Sequence, residues 1–301
     1  MSWPLIDLHA HSTASDGSES PAEVVASAHA HGLHTIALTD HDTVAGWDEA
    51  ASEAARLGVG LVRGVELSAQ VFDPERIQPP RSVHLLGYLV DPTHPRLAAE
   101  FEKIRSHRDD RLRKMVEAIA EDYPISWEEV AEGMPDGATP GRPHIANVLV
   151  VKGLVENVSH AFDHILASHG PYHVPHYAPR LDRALEVIRS AGGVAVLAHP
   201  LAAGRHRPDA SVASIDRMIQ DYLVWKDSGL RGIEVDHREN PEEGREALRV
   251  VAHELDLFVT GSSDYHGQAK PNTWAENTTS PETLDALVSE SRGVPLLGPS
   301  V

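Results

Sequence analysis

The chain contains no cysteine. Disulfides, thiolate metal sites and cysteine nucleophiles are therefore excluded, and any bound metal would have to be held by His, Asp or Glu. Positive charge is scarce, with 26 Lys and Arg against 45 Asp and Glu and a formal net charge of −19. A protein that coats duplex DNA needs the opposite balance, so no duplex-DNA partner is expected. Acidity of this kind serves solubility. It leaves room for a small phosphorylated substrate, because bound cations can neutralise carboxylates locally. No segment is apolar over the length needed to cross a bilayer, and no basic stretch followed by an apolar one opens the sequence. The expectation is a cytoplasmic protein with no membrane partner. Internal repeats and low-complexity tracts are also lacking.

What is present is a chain of 301 residues, 41% apolar, with 20 histidines. Barrels of parallel strands reach roughly 250 residues as one unit, so one large domain plus an insertion is expected. Ile6-Asp7-Leu8-His9-Ala10-His11-Ser12 is a short apolar run that ends in two histidines one residue apart. Successive side chains of a strand point to opposite faces, which puts His9 and His11 on the same face. Two neutral imidazoles so placed can hold one metal ion. The bland alternative is a pair of exposed histidines at a strand end.

Along the chain, apolar runs alternate with helical patterns, giving seven strands near residues 5, 36, 62, 85, 196, 234 and 259. Strands separated by helices imply parallel neighbours joined by crossover helices. From about Pro95 this rhythm stops. Leu97 to Tyr123 reads as one long charged helix, followed by shorter helical pieces to about Ser168. The expected organisation is a barrel from residues 1–98 and 179–301, with a helical insertion at 99–178. The fold class is α/β, a (β/α)7 barrel carrying a helical insertion domain.

In a closed parallel barrel the active site lies at the C-terminal ends of the strands. Metal-capable residues recur there: His9 and His11, His41, Glu66, His84, His199, and then Asp264 and His266. His84 is irregular, because it falls early in its strand. His29 and His31 also form an H-x-H pair, but inside a helical pattern, where residues two apart do not face each other. His107, His160, His164, His169, His173 and His176 fall in the insertion and read as mostly surface.

These residues carry a resemblance to the PHP family, named for polymerase and histidinol phosphatase. The matching segments are Asp7-Leu8-His9-Ala10-His11-Ser12, Thr39-Asp40-His41-Asp42, Gly64-Val65-Glu66, Ala198-His199-Pro200 and Gly261-Ser262-Ser263-Asp264-Tyr265-His266. Gly141-Arg142-Pro143-His144-Ile145-Ala146 resembles the insertion signature of a small phosphoesterase branch. That branch includes 3′,5′-nucleoside bisphosphate phosphatases that also trim short oligoribonucleotides. The resemblance implies a distorted seven-stranded barrel and three divalent metal ions, usually manganese, iron or zinc. Residue by residue, it implies one metal on His9, His11, Glu66 and Asp264. It implies a second on Glu66, His84 and His199, so that Glu66 bridges, and a third on Asp16, His41 and His266. Taken alone, Asp16 before a glycine reads as a turn residue. Asp40 would be a carboxylate behind the ligands or a proton shuttle, or alternatively a helix cap near Thr43. The branch often has a second histidine shortly after His237, where this chain has Asn240, which cannot shuttle a proton.

Clustered divalent metals suit phosphate ester hydrolysis. They lower the pKa of a bridging water, so that hydroxide attacks, and they neutralise charge on the phosphoryl oxygens. Arg142 suits phosphate recognition because a guanidinium fork holds two oxygens. His144 and His237 could bind the phosphate or protonate the leaving alkoxide. The insertion would cover the barrel mouth and exclude water. The leading expectation is a metal-dependent phosphoesterase acting on a nucleotide, either a 3′,5′-nucleoside bisphosphate or short RNA. A phosphatase or cyclic phosphodiesterase of a non-nucleotide metabolite is a second reading. A metal-stabilised binding module without turnover is a third.

Overall fold

Seven strands lie side by side in chain order in one sheet: β1 (Leu5–Asp7), β2 (Leu33–Leu38), β3 (Gly60–Val71), β4 (Arg81–Tyr88), β5 (Val194–Ala198), β6 (Leu230–Asp236) and β7 (Phe258–Gly261). The computed structural model describes residues 4–72, 80–134, 138–167, 170–175, 177–202 and 212–299. Past the ends of β1 and β7 the two edges meet. The amide of His11 donates to the Tyr265 carbonyl at 2.8 Å, and that of Tyr265 to the His9 carbonyl at 3.2 Å. The sheet is thus nearly closed into a barrel.

The strands are not all parallel, contrary to the expectation from their alternation with helices. β4 runs antiparallel to both β3 and β5. The physical reason is the length of the connection, since the nine residues between Val71 and Arg81 are too few for a crossover, which takes a dozen or more. The reversal also explains the irregular placement of His84. The start of an antiparallel strand lies at the rim where its parallel neighbours end, and His84 pairs with Ser68 on one side and Ala198 on the other.

Around the sheet stand α1 (Pro21–Ala30), α2 (Trp47–Leu57), α7 (Leu181–Ser190), α8 (Val212–Ser228), α9 (Glu242–Glu254) and α10 (Pro281–Glu290); α3 (Pro95–Ala120), α4 (Trp127–Glu132), α5 (Arg142–Val151) and α6 (Val158–His164) form the helical stretch between β4 and α7. Local signals set their starts. Ser20 and Glu23 make a reciprocal capping box, and Pro21 sits in the first turn of α1. α2 starts at Trp47 after Gly46, beyond Thr43, and so Asp40 does not cap it.

Apolar side chains alternate across the strands. Ala37, Val62, Leu86, Tyr88 and Val196 fill the barrel, while Ile36, Leu38, Leu61, Leu85 and Leu197 face the helices. The first turns of α3 belong to the outer core through Leu97 and Ile104. Its second half, from Leu112 to Ile119, belongs to a separate core shared with Val130, Ile145, Leu149 and Leu166. One helix therefore ties the two bodies together. Buried Glu100 on α3 adds to this by accepting from Tyr177 Oη at 2.6 Å and Arg183 Nε at 2.8 Å. Among the described residues, no helix is long and apolar enough to cross a membrane.

Inside the barrel Tyr88 Oη donates to the Leu8 carbonyl at 2.8 Å, next to His9. Tyr88→Phe should lower the unfolding free energy by about 1 kcal/mol, because a buried carbonyl loses its partner. Urea denaturation monitored by circular dichroism measures this, and an unchanged midpoint would show that the contact contributes nothing.

Candidate metal centre

At the rim where β1–β3 and β5–β7 end and β4 begins, nine of the residues expected from the sequence converge. Glu66 is their hub, and it is 1% exposed. Its Oε2 lies 3.3 Å from His9 Nε2, 3.1 Å from His11 Nε2 and 3.0 Å from His41 Nδ1. Its Oε1 lies 2.6 Å from His84 Nδ1 and 3.0 Å from His199 Nε2. The two oxygens therefore face different sets of imidazoles, as bridging requires.

His9, His11, Glu66 and Asp264 form one group of donor atoms within 4.8 Å of one another, and His11, Asp16, His41 and His266 form another. Asp16 is thus a member of the cluster and not only a turn residue. At the remaining expected set His84 and His199 share Glu66 Oε1, while the tight groups in that region are His41–Glu66–His84 and His9–His199–Glu234.

The local backbone is forced into place. Among the described residues, three of the six non-glycine residues with positive φ, Asp42, His199 and Asp264, lie at this rim. In β5 the inward positions are Val194, Val196 and Ala198, so His199 points away from the barrel by simple alternation. Its φ of 25° turns it back in, with its amide fixed on Glu234 Oε2 at 2.8 Å. Such strain costs of order 1–3 kcal/mol per residue and persists only where surrounding contacts dictate it.

Glu234 was not among the residues picked out from the sequence. It is buried on β6, with Oε1 2.9 Å from His9 Nδ1 and within reach of the Ser262 hydroxyl. A carboxylate accepts only, so His9 Nδ1 carries the proton and Nε2 keeps its lone pair. The available signal was a charged residue inside an apolar strand, at an inward position between Ile233 and Val235. On the other histidine, His11 Nδ1 faces Ser15 Oγ at 3.4 Å, and Ser15 donates to Asp40 at 2.7 Å. Asp40 also accepts from the Ser12 amide and hydroxyl at 2.8 and 2.7 Å. It is a brace for the loop after His11, acting on the cluster through Ser15.

This arrangement fits a metal. His9 Nε2 and His11 Nε2 lie 3.0 Å apart, and when the rings are neutral, with both Nδ1 protons engaged, their lone pairs turn towards one point. His266 donates Nδ1–H to the Asp264 carbonyl at 2.7 Å, which leaves its buried Nε2 without a hydrogen-bond partner and 3.3 Å from Asp16. Oxygen and imidazole donors with no thiolate suit manganese, iron and zinc alike.

The electrostatics agree. Burial opposes charge on Glu66, but His84, His41 and His9 hold its carboxyl well below the usual range. Burial takes His41 down to about 4, against the pull of Glu66 and Asp16, and also lowers His266. Those two rings are neutral at pH 7 and can act as ligands. His11 is the opposite case, since hydrogen bonds to Asp264 and Glu66 outweigh burial and raise it to about 9.

His237 is buried beside the cluster, its Nε2 3.8 Å from Asp264 Oδ2. The Glu239 amide donates to its Nδ1 at 3.2 Å, which leaves the neutral ring's proton on Nε2, facing inwards. Asn240 is no substitute acid, because its amide group is used on the Leu201 amide and on the carbonyls of Glu234 and Val235. The helical stretch reaches the rim at two points. Thr139 bonds the Ala14 carbonyl at 3.0 Å, and Arg108 pairs with Asp42 at 2.7 Å and Ser68 at 2.8 Å. His144, 8% exposed, uses Nδ1 on the backbone of Gly141. Burial lowers its pKa, against the hydrogen bond to Gly141 and the negative charge of Asp16. Arg142 is not brought onto the cluster by any described contact. One arm donates to the Leu166 carbonyl at 2.8 Å, and the guanidinium lies 5.1 Å from the centre of the Phe162 ring. His29, His31, His107 and His164 are exposed, as expected, and His160 and His173 are half-buried. His169 and His176 lie outside the described residues.

Comparison with known proteins accounts for this geometry. The family model described as the PHP domain matches residues 7–185. A 5′-3′ exoribonuclease from Haemophilus influenzae is 32% identical over 94% of this chain and 96% of its own length. A 3′,5′-nucleoside bisphosphate phosphatase from Chromobacterium violaceum is 34% identical over 87% of each. A crystal structure from Bifidobacterium adolescentis, described as a metal-dependent phosphoesterase, superposes with a TM-score of 0.86 at 37% identity, covering 95% of this chain and 96% of that one. The chain belongs to the PHP domain family. It is a metal-dependent phosphoesterase.

Two measurements test the cluster. A group whose folded-state pKa is raised stabilises the fold fully below its unfolded value and loses that contribution as pH rises through the folded value. For His11 the window runs from 6.5 to about 9. Chelator-treated protein should therefore melt at progressively lower temperature between pH 6.5 and 9, and protein loaded with manganese should not, since the metal takes the proton's place. A flat profile for the stripped protein would contradict the geometry. Glu234→Ala should weaken manganese binding by about 10–100-fold, because the His9 ring loses the partner that orients it. Calorimetric titration with the metal reads this directly.

Proposed function

We propose that the enzyme hydrolyses a phosphate ester of a nucleotide, taking a 3′,5′-nucleoside bisphosphate or the end of a short oligoribonucleotide. The names of the two relatives support a nucleotide. The observation in this chain that carries the reading is a second cationic site in the insertion. Arg111 is 8% exposed and makes no ion pair among the described residues; its Nε donates to the Val174 carbonyl at 2.7 Å. Burial, together with the nearby charges of Arg142 and Arg108, pushes it down to about 9, so it is still a cation at neutral pH. Arg108 meets the rim through Asp42 and Ser68, and the charges of Arg111 and Arg142 act further out in the insertion, a set of cations suited to an anionic ligand. A nucleotide with a second phosphate places one there.

The metal ligands on this reading are His9, His11, Asp16, His41, Glu66, His84, His199, Asp264 and His266, holding three divalent ions. When bound, such ions supply a water of lowered pKa and offset charge on the phosphoryl oxygens. Glu234 and Asp40 orient ligands, through His9 and through Ser15. The inward Nε2–H of His237 donates to the phosphoryl group or the leaving oxygen, and His144 meets substrate from the insertion side. Arg142 acts with Arg108 and Arg111 on the distal phosphate. The insertion, residues 99–178, covers the barrel mouth.

The test is a screen of manganese-loaded protein against nucleoside mono-, bis- and cyclic phosphates, non-nucleotide phosphates and an aryl phosphate. Phosphate release from bisphosphates is expected, and His9→Ala or Asp264→Ala should abolish it. Arg111→Met should lower kcat/KM for the bisphosphate by at least about tenfold while sparing the aryl phosphate, because only the former reaches the arginines. Release only from a non-nucleotide compound would overturn the nucleotide reading. No turnover of any ester would leave a binding module.

A further inference from the structure

Lys270 is a cation at the edge of the metal centre to which the ligand set gives no task. Its Nζ lies 3.0 Å from Asp264 Oδ2. The two oxygens of that carboxylate are divided. Oδ1 faces His9 Nε2 and His11 Nε2 at 3.4 and 3.2 Å, while Oδ2 faces Lys270 and, at 3.8 Å, His237 Nε2. Lys270 can therefore keep Oδ2 while Oδ1 serves a ligand position.

The position of Lys270 is built. It follows a 3-10 turn at Gly267–Ala269. Ser18 clamps this turn, accepting from the Gln268 amide at 2.7 Å and donating to the His266 carbonyl at 3.2 Å. Gly267, at φ 64°, lies so close that a Cβ there would meet Ser18 Oγ at 2.3 Å. On the far side Asn272 Nδ2 holds the carbonyls of Ser263 and Asp264 at 2.7 and 3.0 Å. Between these two anchors the lysine side chain is 38% exposed, against 4% for Asp264. It is the member of the pair that reaches the opening.

An ammonium has three N–H groups, and among the described residues Lys270 uses one, on Asp264. A cluster that binds divalent cations needs no extra counter-ion, and a lysine held at its mouth repels them. An arriving phosphoryl dianion reverses that balance.

We propose that Lys270 is a catalytic residue that donates to a non-bridging oxygen of the scissile phosphoryl group while remaining on Asp264. This rests on the phosphoesterase activity and names a further residue for it. In the step, a water oxygen forms the new P–O bond as the ester P–O bond breaks, and the leaving oxygen takes up a proton. Lys270 transfers no proton. Its donors meet negative charge that grows on the phosphoryl oxygen.

The experiment compares the wild type with Lys270→Met and Lys270→Arg, all loaded with manganese, in three readouts: aryl phosphate hydrolysis, inorganic phosphate binding by calorimetry, and bound metal per chain. Lys270→Met should lower kcat/KM on the order of 100-fold and weaken phosphate binding, with metal content unchanged. Lys270→Arg should recover part of both. Unchanged phosphate binding and kcat/KM would overturn the proposal. So would an activity loss that follows a loss of metal, since Lys270 would then only brace Asp264. A wild type that hydrolyses no ester would instead strike at the phosphoesterase function, and phosphate binding by the two variants would still decide the role of Lys270.

Discussion

A carboxylate removed from water costs several kcal/mol unless cations surround it, and Glu66 is such a carboxylate. Five imidazoles contact its two oxygens, and Asp264 and Asp16 add further negative charge around the same rings. Without metal, protons must hold this assembly together, which is why His11 is raised so far above its ordinary value, although burial takes His41 below it. The rest of the structure supports that constraint. Strand ends aim at one point, Glu234 and the pair Ser15–Asp40 turn the rings, and the loops accept strained backbone at Asp42, His199 and Asp264.

The barrel and the helical insertion divide the work. Every side chain in the metal groups comes from the barrel or its rim loops, where the closed sheet fixes the geometry. The insertion has its own apolar core and contributes cations. Arg108 fastens it to the rim through Asp42 and Ser68, and Arg111 and Arg142 stand further out. A charged substrate spanning both bodies would be bound by fixed metals at one end and guanidinium groups at the other. Lys270 stands on the barrel side of this arrangement, held by loops that already carry ligands.

Much of this was legible along the chain. Apolar runs ending in His, Asp or Glu marked the strand ends, and the H-x-H pair announced its shared face because the side-chain period of a strand is two. The reversal of β4 lay in a length and in no motif, because the nine residues between Val71 and Arg81 forbid a crossover. Glu234 was passed over because it sits inside an apolar strand and not at its end. Asp40 drew three readings, a carboxylate behind the ligands, a shuttle and a cap, and the serines that make it a brace behind the ligands are brought to it only by folding. Arg111 and Lys270 lay in helical and loop segments where a cation is ordinarily just a solvated group.

The sequence by itself determined the donor types, the order in which strands deliver them and the absence of thiolate chemistry, because these depend on residue identity and local periodicity. Tertiary structure decided which donors share an oxygen, which nitrogen of each histidine keeps its lone pair and which cations face the opening. Those properties depend on distances of a few ångströms between residues as far apart as Asp7 and Ala275, whose carboxylate and amide meet at 3.2 Å. No local pattern carries that information, because it exists only once the barrel has closed.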